Sequence, residues 1–143
     1  MTYTSYFGNI KCIKQFDENA VLISIAGKTP DWFFPKLGLK MHEFAPQWSW
    51  WKEWHEKFKD NLESDESKAW YTDKYNSTVL SKLDPNEICK TLIKMSFAHD
   101  IFLLCYETPE KFCHRHLVAQ WLQDAGVDVT EFCADESNSS QEL

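Results

Sequence analysis

The residues best suited to chemistry lie close together in the last third of the chain. A short segment there carries Cys105, Glu107, Cys113, His114 and Arg115. Thiol and imidazole groups serve as nucleophiles and general bases, and a guanidinium pairs with phosphate or carboxylate. We therefore assign Cys105, His114 and Cys113 as candidate catalytic residues. Arg115 is a candidate anion ligand, and Glu107 would orient Arg115 or His114.

A strand and a helix must position this cluster. The apolar run that ends at Cys105 predicts a strand over 101–106, and helical spacing predicts a helix that ends before Gly126. Helical periodicity directs Cys113 and His114 toward the sheet and places Arg115 on the border of the buried face. In open α/β sheets, ligands bind beyond the carboxyl ends of such strands.

Each of these side chains also has a purely structural interpretation. Cys105 and Cys113 could be inert buried thiols, since free cysteine is among the most buried residue types. His114 could be a core histidine with one nitrogen bonded to a carbonyl. Arg115, at the first turn of a helix, opposes the helix dipole and needs an anionic partner. That partner is either Glu107 or an exogenous anion.

The same residues could in principle form a zinc site or a phosphatase-type loop. A zinc site from Cys105, Cys113 and His114, with Cys133 as fourth ligand, matches no standard zinc spacing, so we expect no metal. A phosphatase-type loop requires arginine six positions after its cysteine, and here Lys111 stands at that position. The chain also lacks a glycine-rich phosphate loop.

Strands and helices alternate along the chain, which predicts a three-layer, Rossmann-like α/β fold with a mostly parallel sheet. A helical insert is expected around 46–83, with Pro46 at its first helical position. We expect one α/β domain over 1–133 and a flexible acidic tail over 134–143. The predicted strands are Thr2–Phe7, Ala20–Ala26, Leu39–Phe44, Ile101–Tyr106 and Val127–Phe132.

Aromatic residues are concentrated in two places. In the first helix of the insert, Trp51, Trp54 and Phe58 repeat at helical spacing with Trp50 beside them, which favours core packing over base stacking. The loop over 28–39 carries three further large aromatics, which would either wall a ligand pocket or cover the core.

The composition limits the classes of partner. A formal net charge of −7 argues against general binding to a nucleic-acid backbone, but allows a small anionic ligand or a basic protein partner. The chain has no apolar run long enough for a membrane span and no secretory signal at its start. We therefore expect a cytoplasmic protein in which the five cysteines are free thiols.

Three pieces of the chain together resemble the family catalogued as domain of unknown function 488. They are Thr4-Ser5-Tyr6-Phe7, the segment SIAGKTP from Ser24 to Pro30, and LCYETPEKFCHRHLVAQWL, which holds the reactive cluster. Many members carry Thr-x-Gly-x-Ser and Asp-x-Arg motifs in the first two pieces, and this chain departs from both. The resemblance implies a Rossmann-like α/β domain with a polar cluster at the strand ends, which falls here on the five cluster residues. From the looser pieces we add further candidate ligand-binding residues, namely Thr4, Ser5, Tyr6 and Ser24.

Two functional hypotheses follow. In the first, the protein binds or processes a small anionic ligand, such as a nucleotide-like molecule, and Arg115→Ala abolishes binding but leaves the fold intact. In the second, it is a non-catalytic, acidic protein-interaction module in which the cluster is a structural brace. The sequence identifies neither a cofactor nor a substrate.

Overall fold

The structure is a computed structural model, and it describes residues 1–132. The predicted acidic tail and Cys133 lie outside the described residues. Strands and helices alternate in the order β1 Thr2–Tyr6, α1 Ile10–Phe16, β2 Val21–Ser24, β3 Leu39–Lys40, α2 Trp48–Phe58, α3 Asp65–Thr78, α4 Pro85–Ser96, β4 Ile101–Cys105, α5 His114–Asp124 and β5 Val129–Glu131. Short 3₁₀ turns occupy Phe7–Asn9, His42–Phe44 and Leu80–Lys82.

The five strands form one sheet in the order β3-β2-β4-β1-β5, and every neighbouring pair is parallel. This confirms the predicted α/β class with a parallel sheet. The central strand β4 is buried along its whole length, as expected for a strand covered on both faces. In its register, Cys105 lies beside Tyr6 of β1, and Leu104 lies beside Ser24 of β2.

Alternate residues of β4 supply two apolar cores. Ile101 and Leu103 pack into the larger core, which the insert helices, α4 and α5 complete. Phe102 and Leu104 pack into a smaller core with α1 and with Phe33 of the loop over 28–38. Both faces of the sheet are therefore covered, which explains the continuous apolar sequence of β4.

Two predicted boundaries are wrong. Only Leu39–Lys40 of the predicted strand over 39–44 pairs with the sheet, because the backbone turns into the 3₁₀ helix His42–Phe44. Helix α2 begins at Trp48 with Gln47 as its N-cap, so Pro46 lies before the helix. Gly126, by contrast, has a φ of +92° just after α5, as its predicted role at a helix end requires.

Within residues 1–132, no helix combines the length and apolar character that crossing a bilayer would require.

The insert is attached to the sheet by a buried polar contact. The hydroxyl of Tyr75 in α3 donates to the backbone oxygen of Phe44 at 2.6 Å, and the side chain is fully buried. Burial raises the pKa of Tyr75 well above its ordinary value, so it stays protonated and keeps its donor. The bond fixes α3 to the segment that follows β3.

We predict that Tyr75→Phe lowers the free energy of unfolding by about 1–3 kcal/mol, because it leaves a buried carbonyl without its donor. Urea denaturation followed by circular dichroism measures the change. Tyr106→Phe is the matched control, since the exposed Tyr106 hydroxyl bonds to the backbone oxygen of Lys28, where water can replace it. Equal losses in both variants would contradict the attachment role.

Candidate functional site

A cavity of about 850 Å³ opens beyond the carboxyl ends of β2 and β4. Its walls come from the segment after β2, from α2 and α3, and from the loop between β4 and α5. Four of the five predicted cluster residues line it, namely Cys105, Glu107, Cys113 and His114. Arg115 does not.

The position of the cavity follows from the strand order. From β2 the chain continues outward to β3, whereas from β4 it crosses over β1 to β5 on the other side. The loops after β2 and β4 therefore leave in opposite directions and open a crevice between them, which is where ligands bind in such sheets. Gly27 and Lys28 lie on one side of the crevice, and Cys105 and Tyr106 lie on the other.

Two cysteines meet in the crevice. Cys105 is the last residue of β4 and Cys113 is the N-cap of α5, and the structure joins their sulfur atoms in a disulfide. The expectation of free thiols is therefore wrong for this pair, whereas Cys12 and Cys89 are free. Sequence spacing could not show the pairing, because the loop between the two cysteines has no regular structure that would fix their separation.

His114 is held in one tautomer. Its Nε2 lies 2.6 Å from the backbone oxygen of Ile25, so Nε2 carries the hydrogen and donates it. Nδ1 is then unprotonated and lies 3.8 Å from the sulfur of Cys113. The pKa of His114 is lowered from 6.5 to about 4, mainly by burial; the hydrogen bond to Ile25 opposes this shift, and the charges of Arg115 and His116 add to it. At neutral pH the ring is a neutral base next to a sulfur atom.

Arg115 has no exposed surface and is fully engaged with protein atoms. Its Nε and Nη2 donate to the two carboxylate oxygens of Glu131 in β5, each at 3.0 Å. Its Nη1 donates to the backbone oxygen of Glu107 at 2.7 Å and to the sulfur of Cys105 at 3.0 Å. One side chain thus connects α5, β5, the end of β4 and the following loop.

This placement corrects two expectations about Arg115. The residue lies inside the core rather than on its border, and its carboxylate partner is Glu131 rather than Glu107. Glu107 contributes only its backbone oxygen to Arg115. Arg115 therefore acts behind the cavity, on the sulfur of Cys105, and is a positioning residue in this structure.

The predicted residues of β1 do not line the cavity. Thr4 is buried and its hydroxyl donates to Glu131 at 2.6 Å, so it helps to hold the carboxylate that binds Arg115. Ser5 is buried and accepts a hydrogen bond from the side chain of Asn9 at 3.0 Å. Tyr6 lies half-buried at the end of the strand.

Ser24, the last residue of β2, is also outside the cavity. Its hydroxyl lies 2.7 Å from that of Thr29 and accepts from the backbone nitrogen of Ala26. These bonds shape the turn after β2, so that Gly27 and Lys28 reach the crevice. Ser24 thus influences the site through the backbone.

Sequence reasoning missed Glu131 as a member of the cluster. The alternation over Val127–Phe132 predicted the last strand, which is confirmed as an edge strand over Val129–Glu131. No local signal marks Glu131, because its role depends on β5 pairing with β1 and on α5 packing nearby.

Helix α2 has two aromatic faces. Trp50, Trp54 and Phe58 are buried in the larger core, as predicted, whereas Trp51, which the prediction also assigned to the core, is only partly buried. Trp48 and Trp51 lie on another face, with ring centroids 5.4 Å apart and nearly parallel planes. The ring of His55 stacks on Trp51 at 5.1 Å and continues this row. All three residues of the row line the cavity.

The aromatic side chains of the loop over 28–39 do not wall the cavity. Phe33 is fully buried in the smaller core, and Trp32 and Phe34 are exposed beside it. None of the three lines the cavity. Of the two alternatives, the loop therefore covers the core.

Charged residues of both signs surround the opening. Lys28 and Lys111 are exposed lining residues from the two sides of the crevice. Glu63 also lines it, but its carboxylate accepts a hydrogen bond from the backbone nitrogen of Phe112 at 2.9 Å. The lining therefore combines apolar and aromatic side chains with the two cysteines, two lysines and the carboxylates of Glu63 and Glu107.

Within residues 1–132, no group of three or more His, Cys, Asp or Glu residues is arranged to hold a metal ion. The fourth zinc ligand considered from the sequence, Cys133, lies outside the described residues.

The fold and the site define a parallel α/β domain with a sulfur-containing cavity at the strand ends. The chain belongs to the DUF488 family. The matching family model is DUF488-N3a, described as the active DUF488-N3 subclade, and it covers residues 35–126. This range includes the whole reactive cluster from Cys105 to Arg115. Searches of curated proteins and of solved structures gave no match.

The pKa of His114 predicts how stability depends on pH. The unfolded chain binds a proton at His114 below about pH 6.5, whereas the folded chain does so only near pH 4. The free energy of unfolding should therefore fall as the pH drops from 6.5 to 4, by on the order of 3 kcal/mol from this residue. Urea titrations of wild type and His114→Gln measure it, and the variant should show the shallower slope. Replacing the exposed His99 by glutamine should leave the wild-type slope, and a slope unchanged in both variants would refute the assignment.

The burial of Arg115 predicts a large effect on stability. Arg115→Met should lower the free energy of unfolding by about 3–5 kcal/mol, because it leaves Glu131 without its cation. Thermal and urea denaturation measure the loss. Lys90→Met is the control, because it breaks the exposed ion pair with Glu87 and should change stability by less than about 1 kcal/mol. A similar, small change in both variants would mean that Arg115 is not a brace.

Proposed function

We propose that the protein binds a small, planar, anionic molecule of nucleotide-like character in the cavity and presents it to the cysteine pair and His114. The observation that carries this proposal is that one cavity contains a row of aromatic rings, two lysines and both sulfur atoms of the cluster. Its volume of about 850 Å³ suits a ligand of that size.

The aromatic row supports the planar part of the ligand. Trp48 is 68% exposed and Trp51 is half-buried, although both are large apolar side chains next to open space. Stacking of a flat heteroaromatic ring on such a platform contributes about 1–3 kcal/mol. The buried face of α2, with Trp50 and Trp54, keeps the platform rigid.

The lysines support the anionic part. Lys28 and Lys111 approach the opening from separate loops, so a phosphate or carboxylate at the opening would lie between two cations. Arg115 does not take this role, since Glu131 already pairs with it. The chain as a whole is acidic, which restricts attraction of anions to this local pair.

Chemistry at the site would use the reduced cysteines. Nδ1 of His114 lies next to Cys113 and would accept the thiol proton as a general base while the sulfur attacks. At Cys105, the guanidinium of Arg115 donates to the sulfur and would stabilise its anion. The two sulfurs therefore have different partners, a base for one and a fixed cation for the other.

A second candidate function is protein interaction with the cluster as a brace. The buried, fully paired Arg115 supports the brace at the back of the cluster. The cavity in front of it supports the ligand-binding proposal. Small-molecule mass spectrometry of the purified protein distinguishes the two, because only the first predicts a co-purifying planar anion.

Binding can be tested with a panel of nucleoside monophosphates and isothermal titration calorimetry on the reduced protein. Trp51→Leu should weaken binding at least fivefold, because it removes the central ring of the platform. Trp32→Leu is the matched control, since Trp32 is an exposed tryptophan outside the cavity, and it should bind as wild type does. The proposal fails if no member of the panel binds, or if both variants lose affinity equally.

A further inference from the structure

The cysteine pair is placed where a small thiol could reach it. Both Cys105 and Cys113 line the cavity, which opens to solvent. Their Cα atoms are 7.6 Å apart, which exceeds the usual disulfide range of about 4.4–6.8 Å. The backbone spacing therefore also accommodates two separate thiols.

The two sulfurs differ in access and in surroundings. Cys113 is 8% exposed, stands at the N-cap of α5 and has the unprotonated Nδ1 of His114 at 3.8 Å. Cys105 is 1% exposed and receives a hydrogen bond at 3.0 Å from Nη1 of Arg115. An incoming group meets Cys113 first, and negative charge is better stabilised on Cys105.

We propose that Cys105 and Cys113 form a reversible dithiol–disulfide couple that exchanges with low-molecular-weight thiols and disulfides through the cavity. Cys113 is the sulfur that forms the mixed disulfide, and Cys105 is the sulfur that leaves and later resolves it. This activity shares the cavity with the proposed ligand site but does not depend on the planar ligand.

The reduction proceeds in two exchanges. A small thiolate attacks the sulfur of Cys113, the Cys105–Cys113 bond breaks, and the electron pair leaves on Cys105 as a thiolate. A second small thiolate attacks the small-molecule sulfur of the mixed disulfide and releases Cys113. In total, the protein disulfide and two thiols give the protein dithiol and one small disulfide, and the protons of the two thiols end on the cysteines.

The surroundings favour this order of events in both directions. A better-stabilised thiolate leaves faster, and the guanidinium next to Cys105 supplies that stabilisation. Arg115 is held by Glu131 and by the backbone oxygen of Glu107, so it stays in place when the sulfur bond opens. In the oxidising direction, His114 accepts the proton of Cys113 as its thiol attacks a small disulfide.

Redox state would then decide whether the cavity contains a nucleophile. In the disulfide both sulfurs are bonded to each other, and neither can attack a bound molecule. In the dithiol both are available. Reduction by a small thiol would thus convert the closed form of the site into its reactive form.

The test uses the full chain equilibrated in buffers of reduced and oxidised glutathione, followed by acid quenching, alkylation and peptide mass spectrometry. Trypsin cleaves after Lys111, so Cys105 and Cys113 fall on the separate peptides 95–111 and 112–115. As the proportion of reduced glutathione rises, the linked pair should give way to two alkylated peptides. Wild type that shows only the linked pair, or only free thiols, at every ratio would overturn the proposal.

Variants test the direction of the exchange. In the Cys105→Ser variant, glutathione should accumulate on Cys113. In the Cys113→Ser variant, glutathione should add to Cys105 at least tenfold more slowly, because Cys105 is less exposed. Cys89→Ser, a half-buried cysteine outside the cavity, should exchange as wild type does. Faster modification of Cys105 would refute the assigned order.

Failure of this inference is separable from failure of the proposed function. Nucleotide binding is measured on protein kept reduced by a phosphine, where no exchange occurs. Exchange without nucleotide binding would reject only the planar-ligand proposal, and binding without exchange would reject only the redox couple.

Discussion

The ion pair between the buried Arg115 and the partly exposed Glu131 is the constraint on which the rest of the site depends. A charge without solvent contact is tolerated only when its donors are matched, and here the carboxylate, a backbone oxygen and a sulfur accept them. Thr4 holds the carboxylate from the neighbouring strand. The pair therefore fixes the start of α5 relative to β4 and β5, and with it the position of the reactive residues.

The cluster that is continuous in sequence is divided in space into two layers. Arg115, which is buried, and its partly exposed partner Glu131 form a supporting layer, whereas Cys105, Cys113 and His114 face the cavity. The same division makes the two functional hypotheses compatible, because a brace behind the cavity and the proposed ligand site in front of it would be different parts of one structure. The two layers meet at the sulfur of Cys105, which accepts a hydrogen bond from Arg115. A change in the charge or bonding of this sulfur would therefore alter a contact of Arg115.

The two aromatic faces of helix α2 also have different surroundings. One aromatic face fills the larger core and the other forms the wall of the cavity. Hydrophobic periodicity alone does not separate these faces, since tryptophan on either face gives the same apolar signal. The stacked rings of Trp48 and Trp51 remain next to open space because no other element of residues 1–132 packs over them in the crevice. That exposure is what gives the proposed ligand its platform.

The sequence by itself determined the fold class and most of its elements, and it indicated where the candidate site lies. Apolar runs and helix-end signals identified a parallel α/β fold, and the grouping of Cys105, Glu107 and Cys113 indicated the end of β4, because these signals are local. Only the tertiary structure decided the partners. Arg115 pairs with Glu131, and the two cysteines are joined, because strand order, helix packing and the path of the loop bring these groups together. No local sequence pattern relates them.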